Sequence, residues 1–161
     1  MHKKRILFEF EEYESEEQLN EADASLLKTA KKITRNAYAP YSNFLVGAAT
    51  KLSNGNIVTG TNQENASYPV GICAERVLLS TVASLYPGAI IDTIAISYHN
   101  LNGESNDPVS PCGLCRQSLL EYETRVDHPI RIILSGMDGK VLIIPKASSL
   151  LPLSFTGDDM K

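Results

Sequence analysis

Three cysteines and one glutamate have the spacing of a metal site with a base beside it. Cys73 and Glu75 lie two residues apart, Cys112 and Cys115 form a Pro-Cys-x-x-Cys pattern, and these are the only cysteines in the chain. Catalytic zinc usually keeps three protein ligands and an open fourth position, whereas structural zinc usually has four. Zinc can lower the pKa of a bound water from about 15.7 to about 7, and a nearby carboxylate can then move its proton. The pattern predicts a hydrolytic zinc site.

Two other interpretations apply to the same residues. A lone cysteine is more often a small buried hydrophobic residue than a ligand, but three cysteines with a glutamate at this spacing favour a metal. A histidine in the fourth position, His99 or His128, would close the site and make it structural. Neither histidine lies within a ligand motif, so the open site is favoured.

The hydrophobic periodicity predicts the elements that position these residues. Helices are expected over 21–38, 73–85 and 112–122, and strands over 44–52, 57–60, 90–97, 130–135 and 140–144. Cys73 and Cys112 each begin a helix, where the positive end of the helix dipole favours a thiolate. The pattern predicts an α/β fold of three α/β/α layers with a mixed five-stranded sheet.

The last two predicted strands are joined by only four residues, 136–139. A parallel pair would need a crossover of about a dozen residues, so this pair must be antiparallel. At the other end of the chain, residues 5–11 alternate weakly between apolar and polar. They could form a short edge strand, but a solvated extension or an oligomer contact is the favoured interpretation.

The charge and the cysteine content restrict the partners. Fifteen basic and 19 acidic residues give a net charge of −4, whereas nucleic-acid binders carry a basic face for the phosphates. The composition therefore predicts a small uncharged substrate and no nucleic acid. No apolar run is long enough to cross a membrane, and the odd cysteine count without a signal-like segment predicts a cytoplasmic protein.

The chain resembles the small, homo-oligomeric, all-cysteine cytidine deaminases. The resemblance covers most of the chain past residue 25 and is carried by five motifs, APYSNFLVGAA (39–49), NQENASYP (62–69), CAER (73–76), PCGLCRQ (111–117) and LLPLSF (150–155). It implies a cytidine deaminase-like catalytic domain over 21–161, preceded by an extension over 1–20. The loop between Ser97 and Pro111 is longer than in compact members of the family.

The resemblance also implies a role for each matched residue. Glu75 would be the proton shuttle, and one zinc per chain would be held by Cys73, Cys112 and Cys115. The implied substrate-binding residues are Phe44 against the base, Asn62 and Glu64 at the ribose, and Ala74, Tyr68 and Phe155. Arg76 would donate hydrogen bonds to the ligand sulfurs. Tyr68 and Phe155 lie where neighbouring subunits complete each other's pockets, which implies a homotetramer.

The implied reaction is hydrolysis of cytidine or deoxycytidine to uridine or deoxyuridine and ammonia. The antiparallel ending resembles that of deaminases of free nucleosides, whereas polynucleotide deaminases tend to have a parallel one. Three alternatives stay open. They are a deaminase of another cytosine nucleoside such as blasticidin S, a zinc-stabilised assembly module without turnover, and a polynucleotide editor, against which the acidic charge argues.

Overall fold

The computed structural model describes residues 1–161 as three α-helices and a six-stranded sheet. The helices are α1 (Glu21–Ile33), α2 (Ala74–Leu85) and α3 (Gly113–Val126). The strands are β1 (Glu11–Tyr13), β2 (Phe44–Lys51), β3 (Ile57–Thr61), β4 (Thr93–Asn100), β5 (Arg131–Ser135) and β6 (Val141–Ile144). Their order across the sheet is β1-β6-β5-β4-β2-β3.

The sheet is mixed, and helices cover both of its faces. Only β4 and β5 pair in parallel, while every other neighbouring pair is antiparallel. Because side chains alternate along a strand, Ile94 and Ile96 of β4 pack beneath α2 and α3, whereas Ala95 packs on the opposite face beneath α1. The three-layer α/β class and the antiparallel β5–β6 hairpin are both confirmed.

The sheet has one strand more than the five predicted. Residues Glu11–Tyr13 pair with the free edge of β6, where Tyr13 packs against the α1 side of the core and Lys140 bonds Glu12 at 2.9 Å. The interpretation of residues 5–11 as a solvated segment holds for 5–10, which are exposed. It is wrong for Glu11, because an unpaired strand edge offers backbone groups to any nearby segment.

Several element boundaries also differ from the predicted ones. Helix α1 ends at Ile33, not at residue 38, and a 3₁₀ turn over Thr34–Asn36 follows it. Strand β4 runs from Thr93 to Asn100 instead of 90–97, because its pairing with β2 extends to the Phe44–Asn100 rung. No helix in the structure combines the length and the apolar character that crossing a membrane would require.

A buried carboxylate joins the end of α3 to two other segments. Glu123 is 5% exposed. Its oxygens accept hydrogen bonds from the backbone N–H groups of Ile130, Ala147 and Ser148 at 2.7, 3.0 and 3.1 Å. A carboxylate with several N–H donors is a strong acceptor. This side chain therefore holds the start of β5 and the 3₁₀ turn Ala147–Leu150 against α3.

We expect Glu123→Ala to lower the free energy of unfolding by about 2–4 kcal/mol, because it leaves buried N–H groups without an acceptor. Urea denaturation followed by circular dichroism measures the change. The matched control is Glu121→Ala, which removes an exposed glutamate from the same helix and should change the stability by less than about 0.5 kcal/mol. Equal losses for the two variants would contradict this role of Glu123.

Candidate metal centre and substrate cleft

The three cysteine sulfurs meet where two helices begin. Cys73 is the residue before α2 and Cys112 the residue before α3, while Cys115 lies in the first turn of α3. The Sγ atoms of Cys73 and Cys112 are 3.7 Å apart, those of Cys112 and Cys115 are 3.5 Å apart, and all three lie within 4.8 Å of one another. Tetrahedral Zn–S bonds of about 2.3 Å place two sulfurs about 3.8 Å apart. The cluster therefore has the size of a three-sulfur zinc site.

The electrostatic environment prepares the cluster for a cation. The neighbouring Cys115 thiol lowers the pKa of Cys73 to about 6. The same interaction, together with burial, raises the pKa of Cys115. Cys73 is thus ready to ionise at neutral pH, and the N-terminal ends of α2 and α3 favour the resulting negative charge. A metal that binds would displace the remaining thiol protons.

Backbone packing brings α2 to this position. A Cβ atom at Gly60 of β3 would lie 2.3 Å from the carbonyl oxygen of Ala74, so the first turn of α2 rests directly on the β3 backbone. Only glycine permits an approach this close. The glycine at position 60 therefore allows the start of α2, and with it Cys73, to lie directly against the sheet.

A tether from Arg116 holds the start of α3. Its guanidinium donates hydrogen bonds to the carbonyl oxygens of Pro111, at 2.8 Å, and Leu150, at 2.9 Å. Arg116 belongs to the matched motif PCGLCRQ (111–117), but the sequence did not indicate a catalytic role for it. In the structure it ties the segment before Cys112 to the C-terminal part of the chain.

Glu75 lies beside the sulfur cluster at the floor of a cleft. Its side chain is 5% exposed, and burial raises the pKa of the carboxyl group above its usual range, with the Cys115 thiol opposing the shift. A raised pKa favours the protonated form, so the carboxyl group can donate a proton as well as accept one, as general acid–base catalysis requires. Its burial also separates it from bulk water, which would otherwise compete for the proton.

The cleft has a volume of about 320 Å³ and is lined by both apolar and polar side chains. That volume is within the range of small-molecule sites. It brings together the predicted residues Phe44, Asn62, Glu64, Tyr68, Cys73, Ala74, Glu75 and Cys112. Four of the five sequence motifs thus converge on one cavity, with lining residues spread over about 70 residues of chain.

Asn62 and Glu64 follow β3 and form the polar wall of the cleft. The amide of Asn62 accepts a hydrogen bond from Val46 N at 2.7 Å and donates one to Phe44 O at 2.8 Å, which leaves one N–H free. Glu64 accepts from the backbone N–H of Tyr41 at 2.9 Å. A hydrogen bond with the Ser42 side chain lowers the pKa of Glu64, and hydrogen bonds from the backbone N–H groups of Tyr41 and Ser42 lower it further. This carboxylate therefore stays an ionised acceptor.

The cleft also contains residues that the sequence did not single out, among them Ser97, Tyr98, Val109, Ser110 and Ser135. Ser97 and Ser135 form the last pair of the parallel β4–β5 ladder, toward the carboxyl ends of the two strands. Ligand sites of α/β proteins commonly lie at such an edge. This rule was available from the predicted strands. Tyr98, Val109 and Ser110 had no comparable signal.

Three predicted residues lie at or beyond the rim. Tyr68 lines the cleft but is 77% exposed, while Phe155 is 59% exposed and does not line the cleft of its own chain. Arg76 lines a second groove between α2 and α3 and makes no hydrogen bond to a cysteine sulfur. Its positive charge nevertheless contributes to lowering the pKa of Cys73.

Comparisons with known proteins agree on one family. The family model described as the cytidine and deoxycytidylate deaminase zinc-binding region matches residues 20–127. The chain is 37% identical to the cytidine deaminase of Halalkalibacterium halodurans over 135 residues, which are 84% of this chain and 95% of the relative. It is 36% identical to a cytidine deaminase of Mycobacterium tuberculosis over 69% of this chain and 82% of the relative.

A solved structure supports the same assignment. The crystal structure of cytidine deaminase from Burkholderia pseudomallei aligns with a TM-score of 0.70 and 37% identity, covering 85% of this chain and 100% of that one. Sequence, fold and the arrangement of the three thiols all agree with the resemblance. The chain belongs to the zinc-binding cytidine and deoxycytidylate deaminase family.

Proposed function

We propose that this protein is a cytidine deaminase, a zinc-dependent hydrolase that converts cytidine and deoxycytidine to uridine and deoxyuridine with release of ammonia. The observation that carries the proposal is the cluster of three cysteine sulfurs with the buried Glu75 beside it, at the floor of a cleft of nucleoside size. Relatives that match over most of the chain are cytidine deaminases. The reaction places the protein in pyrimidine salvage.

The side chains of the cleft can orient a nucleoside above the sulfur cluster. The ring of Phe44 offers a face to the base, and aromatic stacking provides binding energy with little polar cost. The free amide N–H of Asn62 and the ionised carboxylate of Glu64 form a donor and acceptor pair for ribose hydroxyls. Ala74 begins α2, so its backbone N–H lacks a helical partner and is available to the substrate.

Glu75 carries the proton transfers. Cys73, Cys112 and Cys115 would hold one zinc ion, which when bound supplies Lewis acidity that makes water nucleophilic at neutral pH. Glu75 protonates N3 of the base and accepts the proton of the attacking water. It then delivers that proton to the amino group on C4 and takes up the proton of the new C4 hydroxyl, so that ammonia leaves as the C4 carbonyl forms and Glu75 is again protonated.

The shape and charge of the chain support a free nucleoside rather than a polynucleotide. The chain has a net charge of −4, and an acidic protein gains little from counterion release on a phosphate backbone. The β5–β6 pair is antiparallel, as in the nucleoside deaminases that the sequence resembles. The polar wall at Asn62 and Glu64 favours a sugar with free hydroxyls.

We expect Glu75→Gln to lower kcat for cytidine by about 10²- to 10⁴-fold, because the amide cannot shuttle a proton, and to retain the metal. Ammonia release from cytidine, deoxycytidine, adenosine, guanine and blasticidin S measures activity and ranks the substrates. Glu121→Gln, an exposed change outside the cleft, is the control. A wild-type protein that binds zinc but releases no ammonia from any of these compounds would indicate an assembly module. A preference for blasticidin S over cytidine would mean that blasticidin S, and not cytidine, is the substrate.

We expect one zinc per chain in the wild type and much less in Cys112→Ser, because a neutral hydroxyl replaces a thiolate ligand. Mass spectrometry of the metal content of purified protein measures this. Ser110→Ala changes a neighbouring residue that is not a ligand and should keep the zinc. A full zinc content in Cys112→Ser would contradict the proposed ligand set.

We also propose a homotetramer in which subunits share their sites. Exposed aromatic and aliphatic side chains include Tyr68, which lines the cleft, Tyr41, which contacts Tyr68 edge to face, and Leu153 and Phe155 of the C-terminal segment. The carbonyl of Phe155 accepts a hydrogen bond from Gln117 at 3.0 Å, which anchors the C-terminal segment, while the exposed ring does not line the cleft of its own chain. Such a ring is available to a neighbouring subunit.

Co-expression of Phe155→Ala and Glu75→Gln chains tests the sharing. Each variant alone should be impaired, but mixed tetramers contain some sites with Glu75 from one chain and Phe155 from another. We expect activity in the co-expressed protein above the sum of the separate variants, and light scattering should give a tetramer mass. A monomeric wild type, or no recovery in confirmed mixed oligomers, would contradict the shared site.

Two coarser assignments complete the proposal. Residues 21–161 would form the catalytic domain, since every site residue falls within this range, and residues 1–20 would form an added extension whose strand β1 lies at the sheet edge farthest from β3. We assign the protein to the cytoplasm, where a reducing environment keeps thiols free for a metal.

A further inference from the structure

Tyr98 touches two walls of the cleft at once. Its ring stacks on Phe44 with centroids 4.7 Å apart and planes tilted by 10°. Its hydroxyl donates a hydrogen bond to the carbonyl oxygen of Asp107 at 2.8 Å. Asp107 lies two residues before Val109 and Ser110, which form another wall. Tyr98 itself is 7% exposed and lines the cleft.

The loop that contains Asp107 is fixed elsewhere by backbone contacts. The carbonyl oxygen of Ser105 accepts hydrogen bonds from the N–H groups of Met137 and Asp138, at 2.6 and 3.2 Å. A Cβ atom at Gly136 would lie 2.0 Å from that oxygen, and one at Gly139 would lie 2.2 Å from the oxygen of Asn106. The loop thus rests on the β5–β6 turn, and Tyr98 provides its last side-chain anchor before the cleft.

We propose that Tyr98 is a positioning residue for the substrate, which holds the ring of Phe44 and the wall at Val109 and Ser110 in their binding geometry. The proposal rests on the proposed function and extends it to a residue outside the motifs that identify the family. Because Tyr98 covers one face of the Phe44 ring, a base can stack only on the other face. The plane of Tyr98 therefore sets the plane available to the base.

The expected effect is on binding more than on chemistry. Tyr98 contacts neither the sulfur cluster nor Glu75 through a hydrogen bond, so its loss should not alter proton transfer. A looser wall must be ordered when the nucleoside binds, and that ordering lowers affinity. The signature is a raised KM with an almost unchanged kcat, which indicates loss of uniform binding.

Tyr98→Phe and Tyr122→Phe form a matched pair. Tyr122 is also buried, at 2% exposure, and its hydroxyl also donates to a backbone carbonyl, that of Ala89 at 2.8 Å, but it does not line the cleft. Both variants lose one hydroxyl bond, so their thermal midpoints should fall by similar amounts. We expect Tyr98→Phe alone to raise KM for cytidine by about 3- to 10-fold, with kcat within about twofold.

Tyr98→Leu removes the stacked ring as well as the hydroxyl. We expect it to lower kcat/KM further than Tyr98→Phe does, so that phenylalanine partly rescues the leucine variant. Calorimetric titration with uridine measures affinity without turnover and should follow the same order. If the leucine variant does not fold, the comparison of the two phenylalanine variants decides.

Equal KM values and equal uridine affinities for Tyr98→Phe and Tyr122→Phe would overturn the proposal. A fall in kcat of Tyr98→Phe at unchanged KM would also overturn it, since that would be a role in the chemical step. Failure of the wild type to release ammonia from cytidine is a separate result, which contradicts the proposed function itself. Uridine binding that weakens only in the Tyr98 variants would still support the positioning role.

Discussion

The site depends on the meeting of two helix N-termini at one edge of the sheet. Cys73 and Cys112 are 39 residues apart in the chain, yet their sulfurs are 3.7 Å apart because α2 and α3 both begin there. Helix starts favour negative charge, so the same geometry that gathers the thiols also helps to ionise them. The contact of α2 with Gly60 and the hydrogen bonds donated by Arg116 hold the starts of α2 and α3 in place.

Two buried glutamates show that the surroundings of a side chain decide whether it stabilises the fold or takes part in the chemistry. Glu75 and Glu123 are each 5% exposed. The oxygens of Glu123 accept three backbone hydrogen bonds, which use its charge to hold α3, β5 and the following turn together. Glu75 faces a cleft and has its pKa raised by burial, so its proton remains exchangeable. Residue type and exposure are the same, and hydrogen-bond partners decide the role.

Local patterns allowed most of the elements to be predicted, and the errors fall where tertiary contacts set the limits. The hairpin of β5 and β6 followed from a turn too short for a crossover, and pairing confirms it. The boundaries of β4 were wrong by three residues because its rung with Phe44 depends on the partner strand. The added strand Glu11–Tyr13 also depends on its partner, the edge of β6. A three-residue strand has too little periodicity to be recognised from the sequence.

The sequence by itself determined the chemistry that this chain can perform, because ligand type, spacing and the adjacent carboxylate are properties of local sequence. It also determined the fold class, since the order of apolar segments restricts the topology. Only the tertiary structure decided which residues form the rest of the cleft. Val109 and Ser110 lie there because their loop packs on the glycines of a distant turn, and Tyr98 lies there because its strand pairs with β2. Contacts between segments remote in sequence leave no local pattern to recognise.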